Sequence, residues 1–392
     1  MPLEEIINRQ GIIISAPASG AGKTTVTLGL INAFARKGSV QPFKSGPDYI
    51  DSKFQSVAAD RPSYNLDTWA MSSSDILNMI GMVGPSDICI AEGSMGLFDG
   101  VISKGAGGNG STADLASITN WPVILVVDCA KQAQSVAALI AGFNSFRHDI
   151  TIGGIILNNI SSKRHEALVV SEVSKTKVPI LGVIPRSNEL TIPERHLGLV
   201  QAEDLSDLEQ LIFKLGTLIE ENCDLDAIAC TARNSFPPIS TLQKITPPAQ
   251  RIAIARDNAF TFTYSHLIEG WKKQGAEISF FSPLNDEPPS NSDDMVWLPG
   301  GYPELYLGRL SECKNFKNGL IDFSKKRPVH GECGGYMVLG RKIIGKSGQA
   351  YDMIGMFDLV TSFEKRKLNL GYRKAKAIEP FFGIKKGSTV LG

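Results

Sequence analysis

Gly11-Ile12-Ile13-Ile14-Ser15-Ala16-Pro17-Ala18-Ser19-Gly20-Ala21-Gly22-Lys23-Thr24-Thr25 decides the fold. Residues 11–16, with three isoleucines in succession, read as a short buried strand. The Gly-rich stretch after them reads as a turn, and a helical pattern follows to about Arg36. Strand, Gly-rich turn and helix form the context of a phosphate-binding loop. Glycines let backbone N–H groups turn toward phosphate oxygens, and the helix N-terminus adds partial positive charge. Lys23 reaches the outer phosphates and Thr24 offers a hydroxyl to Mg²⁺. Ser19, Gly20, Ala21, Gly22, Lys23, Thr24 and Thr25 are therefore the expected phosphate-binding residues. The usual first glycine of the G-x-x-x-x-G-K-[ST] pattern is Pro17 here. The plain alternative is a Gly-rich strand–helix turn with a surface lysine.

Outward from this loop, strands are expected at 40–43, 87–91, 123–127, 152–157 and 179–184, with helices at 132–147 and 163–175. Apolar strands alternating with helices imply a parallel sheet covered on both faces, with ligands outside the carboxyl ends of the strands. Glu92, Asp128 and Asn158 fall at such ends. Asp48 lies just after the second strand and Asp99 in Gly96-Leu97-Phe98-Asp99-Gly100. Mg²⁺ takes oxygen ligands and keeps several waters, so Thr24 with Asp48 and Glu92 is a sufficient candidate metal set. Each acid also has a plain role open to it, as the cap of a helix or turn.

Residues 223–250 contain two Pro-Pro pairs and little periodicity, and read as a linker between domains at 1–222 and 251–392. The second domain repeats an α/β pattern, with strands at 251–255, 277–281, 295–298 and 328–330 and helices at about 261–274 and 312–325. It carries Gly331-Glu332-Cys333-Gly334-Gly335, the thiol counterpart of a G-x-S-x-G nucleophile elbow. Cys333 is the expected nucleophile, its thiol pKa lowered by the following helix N-terminus. Gly300 and Gly301, at the end of the 295–298 strand, are placed to offer N–H groups to an oxyanion. The bland alternative is a structural cysteine in a Gly-rich turn. His330 is expected to be a packed or substrate-side residue rather than the base.

The chain has 392 residues, or two to three domains at roughly 150 residues each. Forty Lys+Arg balance forty Asp+Glu, which argues against nucleic acid or an anionic membrane as main partner. No apolar run approaches the length of a membrane span, and the N-terminus lacks the pattern of a signal peptide. Six scattered cysteines without metal-ligand spacing fit a reducing cytoplasm. Residues 361–392 carry eight Lys/Arg and two acids, a net of +6, which suits either attraction of an anionic substrate or a solvated terminal region.

Together APASGAGKTT, FKSGPDYID, AEGSMGLFDG, ILNNI, GVIPR, RDNAFTFTY, FFSPLND, LPGGYPELY, HGECGGYMVLG and LGYR resemble, in order, the cobyrinic acid a,c-diamide synthases, including their hydrogenobyrinic acid form. The resemblance runs from about Gly11 to Gly392. It implies a parallel-sheet P-loop domain similar to dethiobiotin synthetase, followed by a class I glutamine-amidotransferase-like α/β domain. It implies ATP and Mg²⁺ as cofactors, a corrinoid polycarboxylate as substrate, and glutamine or ammonia as nitrogen donor. It places Tyr49 and Asp99 at substrate or catalytic positions, Asp48 and Glu92 at the metal, Asn158 and Pro185 near adenine, and Cys333 at the glutaminase nucleophile. Asp48 and Asp99 count with Cys333 as candidate catalytic residues, and Tyr49, Gly300 and Gly301 as candidate substrate contacts. It also implies a His-bearing segment a short distance after 370–373. Because the chain ends at Gly392 where that segment would begin, the second domain is expected to be incomplete and its glutaminase impaired. The synthetase half is expected to retain use of free ammonia.

Three alternatives stand beside this expectation. The macrocycle could be a nickel sirohydrochlorin. The chain could be an ATP-binding remnant without amidation. A partitioning ATPase is disfavoured, because it has no use for the cysteine elbow. A homodimer is left open.

Overall fold

The computed structural model describes residues 9–187, 207–235, 245–365, 371–380 and 384–391, with isolated positions between 192 and 205. It divides into two compact units that meet in sequence between Gln243 and Lys244. In the first unit the chain order is β1 (Arg9–Ser15), α1 (Lys23–Ala35), β2 (Val40–Ser45), α2 (Ile50–Ala59), β3 (Tyr64–Leu66), α3 (Ser73–Met82), β4 (Ile88–Glu92), α4 (Thr112–Thr119), β5 (Val123–Asp128), α5 (Val136–Phe146), β6 (Ile152–Ile160), α6 (Lys163–Val173) and β7 (Ile180–Pro185). A two-residue pair, β8 (Glu194–Arg195) with β9 (Gly198–Leu199), precedes α7 (Leu208–Asn222), α8 (Leu225–Thr231) and β10 (Arg233–Ser235).

The main sheet has the order β3-β2-β4-β1-β5-β6-β7, parallel throughout, with β10 added antiparallel to the start of β1. One face buries Ile13, Phe43, Ala91 and Leu125 under apolar residues of α3, α4, α5 and α6. On the other, α1 packs closely against α7. Gly29 permits this approach, since a Cβ there would lie 2.6 Å from Ile219 Cγ1 and 2.8 Å from the Leu215 carbonyl. Glu92 is the last residue of β4, not the first beyond it, and its register partners are Lys44 on β2 and Ile14 on β1. That register brings Lys44 and the phosphate loop to the same sheet edge.

The stretch 223–250 begins with ordered structure. Asp224 caps α8 by accepting the Ala227 N–H, and Leu225 and Ile228 are buried. The capping pattern Asp-Leu-Asp-Ala-Ile was the local signal for this helix. Residues 236–244 lie outside the described residues.

The second unit carries β11 (Arg251–Ala255), α9 (Ser265–Lys273), β12 (Glu277–Phe281), β13 (Met295–Leu298), α10 (Leu307–Glu312), α11 (Lys314–Ser324), β14 (Val329–Gly331) and α12 (Gly334–Leu339). Its parallel sheet has the order β12-β11-β13-β14. Trp271 of α9 packs on Trp297, centroids 5.1 Å apart, on one face. Phe316, Leu320 and Phe323 of α11 fill the other. A small sheet of β15 (Lys342–Ile344), β16 (Ala350–Asp352) and β17 (Val360–Ser362) follows, then the pair β18 (Lys374–Lys376) and β19 (Thr389–Leu391). Of the basic terminal segment, Arg366 and Lys367 lie outside the described residues, as does Leu370 of LGYR.

Trp121, 1% exposed, braces the start of the main sheet. Its ring lies 5.8 Å from that of Phe43, and its indole N–H donates to the Arg9 carbonyl at 3.1 Å. Trp121→Ala should therefore lower stability by about 3–5 kcal/mol in urea denaturation followed by circular dichroism. A loss under about 1 kcal/mol would show that this ring is not a brace.

Candidate active sites

The phosphate loop turns through two left-handed glycines, Gly20 (φ 79°) and Gly22 (φ 83°). Gly22 is held closely, because a Cβ there would meet Asn158 Nδ2 at 2.3 Å. Asn158, near the end of β6, donates from that nitrogen to the Ala21 carbonyl at 2.9 Å and so fixes the loop from below. Beside the loop lies an open cleft bordered by Gly20, Asn158, Ile184, Pro185, Leu215 and Leu218. The structure thus brings Asn158 and Pro185 together with the loop. It adds an apolar wall from α7 that no motif had indicated.

At the other end of the loop, charge is concentrated. Glu92 has no exposed surface. The Thr24 hydroxyl donates to its Oε1 at 2.6 Å, Lys44 Nζ lies 3.2 Å and Lys23 Nζ 3.8 Å from the same oxygen, and the Gln55 amide donates to Oε2 at 2.8 Å. Lys44 also pairs with Asp51 at 2.5 Å. Burial opposes the charge on Glu92, but Lys44 and Lys23, with Thr24 and Gln55, more than offset it and hold the carboxyl below its usual range. Burial likewise opposes the Lys44 ammonium, and Asp51, Glu92 and Asp48 reverse this and keep it protonated. Lys23 is pushed down by burial and by the neighbouring Lys44 charge. Asp51 is pushed up by burial, to about 7, against the pull of Lys44.

Asp48 begins α2. Its Oδ1 accepts the N–H groups of Ile50 at 2.8 Å and Asp51 at 3.1 Å, while Asn65 and Ser52 hold its carbonyl. It therefore fills the capping role while lying close enough to act on Lys23 and Lys44. Tyr49 sits at the N-cap of the same helix, partly exposed. Asp99 caps its own turn by accepting the Gly96 N–H at 2.9 Å. That turn is tied to the phosphate loop by the Leu97 N–H, which donates to the Ala16 carbonyl at 2.8 Å. Asp128 belongs to a separate arrangement, accepting from Asn159 at 2.8 Å. Sequence reasoning passed over Lys44, Asp51 and Gln55. The available signal was a lysine inside an otherwise apolar strand, since lysine is seldom fully buried unless paired.

In the second unit Cys333 has φ 48° and ψ −116°, the strained conformation of a nucleophile elbow. Gly300 and Gly335 permit the turn to close. A Cβ on Gly300 would lie 3.0 Å from Cys333 Cβ, and one on Gly335 would lie 2.1 Å from the Leu298 carbonyl. Gly301 leaves no room for a side chain either, with the Ala259 carbonyl 2.2 Å from where its Cβ would be. The N–H groups of Gly334 and Gly301 face the sulfur. The expectation of a lowered thiol pKa is overturned. The thiol is open on one side, but the surrounding protein atoms desolvate the thiolate, and the two N–H groups do not fully compensate. Its pKa is raised. The six-residue α12 is too short to reverse this. His330 packs tilted against Trp297, centroids 4.1 Å apart, and lies 3.7 Å from Glu332, which also accepts the Trp297 indole N–H at 3.3 Å.

Both units match known proteins in sequence. The CobQ/CobB/MinD/ParA nucleotide binding domain family matches residues 12–200, and the CobB/CobQ-like glutamine amidotransferase domain family matches residues 251–392. The hydrogenobyrinate a,c-diamide synthase of Rhodobacter capsulatus is 47% identical over 384 residues, 98% of this chain and 88% of its own. Those of Brucella anthropi and Agrobacterium fabrum are 47% and 45% identical, covering 94% and 93% of this chain and 85% and 84% of their own. The chain belongs to the hydrogenobyrinate a,c-diamide synthase family. As a member of that family it is a glutamine-dependent amidotransferase ligase, with a nucleotide-binding domain ahead of an amidotransferase domain. No helix among the described residues is long and apolar enough to cross a membrane.

For a member of this family, the raised thiol pKa of Cys333 carries a pH signature. The thiolate forms at higher pH than in free cysteine, so carboxamidomethylation at Cys333, followed by peptide mapping, should still be accelerating at about pH 9. A rate that levels off by about pH 7 would mean an activated thiolate and contradict this.

Proposed function

We propose that the chain amidates the a and c carboxylates of hydrogenobyrinic or cobyrinic acid, using ATP to activate each carboxylate and ammonia from glutamine to replace it. The observation that supports this best is the convergence of Lys23, Thr24, Lys44 and Glu92 next to the phosphate loop and its open cleft, in a chain so similar to named synthases.

The residues present fit a magnesium ion. Thr24 Oγ1 and Glu92 Oε1 are hard oxygen donors 2.6 Å apart, and Asp48 adds a further carboxyl close by. Thr24 and Glu92 would hold the ion, with Asp48 near. Bound with ATP, it supplies neutralisation of charge on the phosphoryl oxygens. Lys23 is placed to do the same from the phosphate loop, and the buried Lys44 adds a fixed positive charge beside Glu92.

In the first step a carboxylate oxygen of the substrate attacks the γ-phosphorus, and the bond from phosphorus to the bridging oxygen of ADP breaks. Little acid–base work is needed, because the attacking carboxylate is already ionised. In the second, ammonia attacks the carbonyl carbon of the acyl phosphate. Phosphate leaves with the C–O electron pair, and the nitrogen loses a proton to give the amide. Cys333 supplies the ammonia. Its sulfur attacks the carboxamide carbon of glutamine, the oxyanion faces the N–H groups of Gly301 and Gly334, the thiol proton passes to the amide nitrogen as the C–N bond breaks and ammonia departs, and water then hydrolyses the thioester to glutamate and the free thiol.

Paired assays with glutamine or ammonium as nitrogen source, each with Mg–ATP and the corrinoid, test this. Lys23→Ala should lower turnover with either source by on the order of 10²-fold or more. Cys333→Ala should remove only the glutamine-driven reaction. Folded wild-type protein inert with both sources, or turning over only nickel sirohydrochlorin, would overturn the proposal.

A further inference from the structure

The two oxygens of Glu92 have different duties. Oε1 faces Thr24, Lys44 and Lys23, while Oε2 is engaged by the Gln55 side-chain amide at 2.8 Å. Gln55 is itself fully buried, and its Oε1 accepts the Ser63 hydroxyl at 2.8 Å. Ser63 is anchored in turn, its N–H donating to Ser56 Oγ at 2.9 Å. This chain fixes the amide orientation, because a flipped Gln55 would set its carbonyl oxygen against the Glu92 carboxylate. Gln55 also follows Asp51 by one turn of α2, so the two share a helix face. Asp51 grips Lys44 and Gln55 grips Glu92, and those two are register partners on adjacent strands. One helix face thus clamps both members of the central ion pair, and the same helix begins at Asp48 and Tyr49.

We propose that Gln55, anchored by Ser63, is a positioning residue that occupies Glu92 Oε2 and so presents Oε1 alone to Thr24 and to the magnesium ion of bound ATP. This rests on the Mg–ATP reading of the first domain given above. Groups that orient a metal ligand through its second polar atom typically change metal affinity by about 10–100-fold when removed. A merely structural amide between α2 and β4 would lower stability without a preference for the metal-bound nucleotide.

The test is binding of N-methylanthraniloyl-ATP to the full chain, by fluorescence, in Mg²⁺ and in EDTA. For Gln55→Leu the Kd in Mg²⁺ should weaken by about 10-fold or more while the Kd in EDTA stays within about 2-fold of wild type. The Mg²⁺ concentration that half-saturates ammonium-driven turnover should rise in parallel. Ser63→Ala, which keeps Gln55 but removes its anchor, should shift the same ratio in the same direction by less, and it decides the matter alone if Gln55→Leu does not fold. Equal losses with and without Mg²⁺, or a folded variant with the wild-type Mg²⁺ response, would overturn the inference. Wild-type binding indifferent to Mg²⁺ would instead overturn the Mg–ATP reading, and the inference with it.

Discussion

The carboxylate of Glu92 has no exposed surface, and the first domain is arranged to let it stay charged. Taking an ion out of water is costly unless its partners replace the lost solvent. Thr24, Lys44, Lys23 and Gln55 do so from α1, β2 and α2. Each element is thereby fixed relative to β4, and each also brings a residue of the proposed chemistry. The phosphate loop arrives with Thr24 and Lys23, and the Asp48–Tyr49 turn arrives with α2. Removing Lys44, the largest compensating charge, would leave the buried carboxylate poorly paired, at a cost of about 3–5 kcal/mol, so at that residue the fold and the site depend on the same ion pair.

The second unit solves a different problem. Its nucleophile must project from a sharp turn, and the sequence achieves this with glycines where neighbouring backbone leaves no space for a Cβ, at Gly301 and Gly335. The cost is a desolvated thiol, raised above its ordinary pKa despite two nearby N–H groups. An elbow of this kind presents an oxyanion site ready-made but does not by itself generate the thiolate.

Much of this was legible in the sequence. Apolar runs located six of the seven parallel strands of the first sheet and the four of the second, because burial leaves little choice of residue. Glycine spacing located both turns, since left-handed or crowded backbone admits little else. What escaped was of two kinds. The short strand β3 and the helices α2, α3, α4 and α7 went unread, although Ser72 with Asp75 and Ser111 with Asp114 mark the caps of α3 and α4 in the sequence. The clamp of Lys44, Asp51 and Gln55 depends on parallel register, which sets Lys44 beside Glu92 across 47 residues of intervening chain, and no local pattern encodes that. The raised thiol pKa is not legible in the elbow motif, because the desolvation around the sulfur comes from residues distant in sequence such as Gly301.

The most direct measurement follows the oxygen. Hydrogenobyrinic acid labelled with ¹⁸O in its carboxylates is turned over with ATP and ammonium, and the phosphate and nucleotide products are examined by mass spectrometry. Activation by γ-phosphoryl transfer predicts one ¹⁸O in inorganic phosphate for each amide formed, and none in nucleotide. Label appearing in AMP, or phosphate without label, would contradict the acyl phosphate and with it the role given to the residues around Glu92.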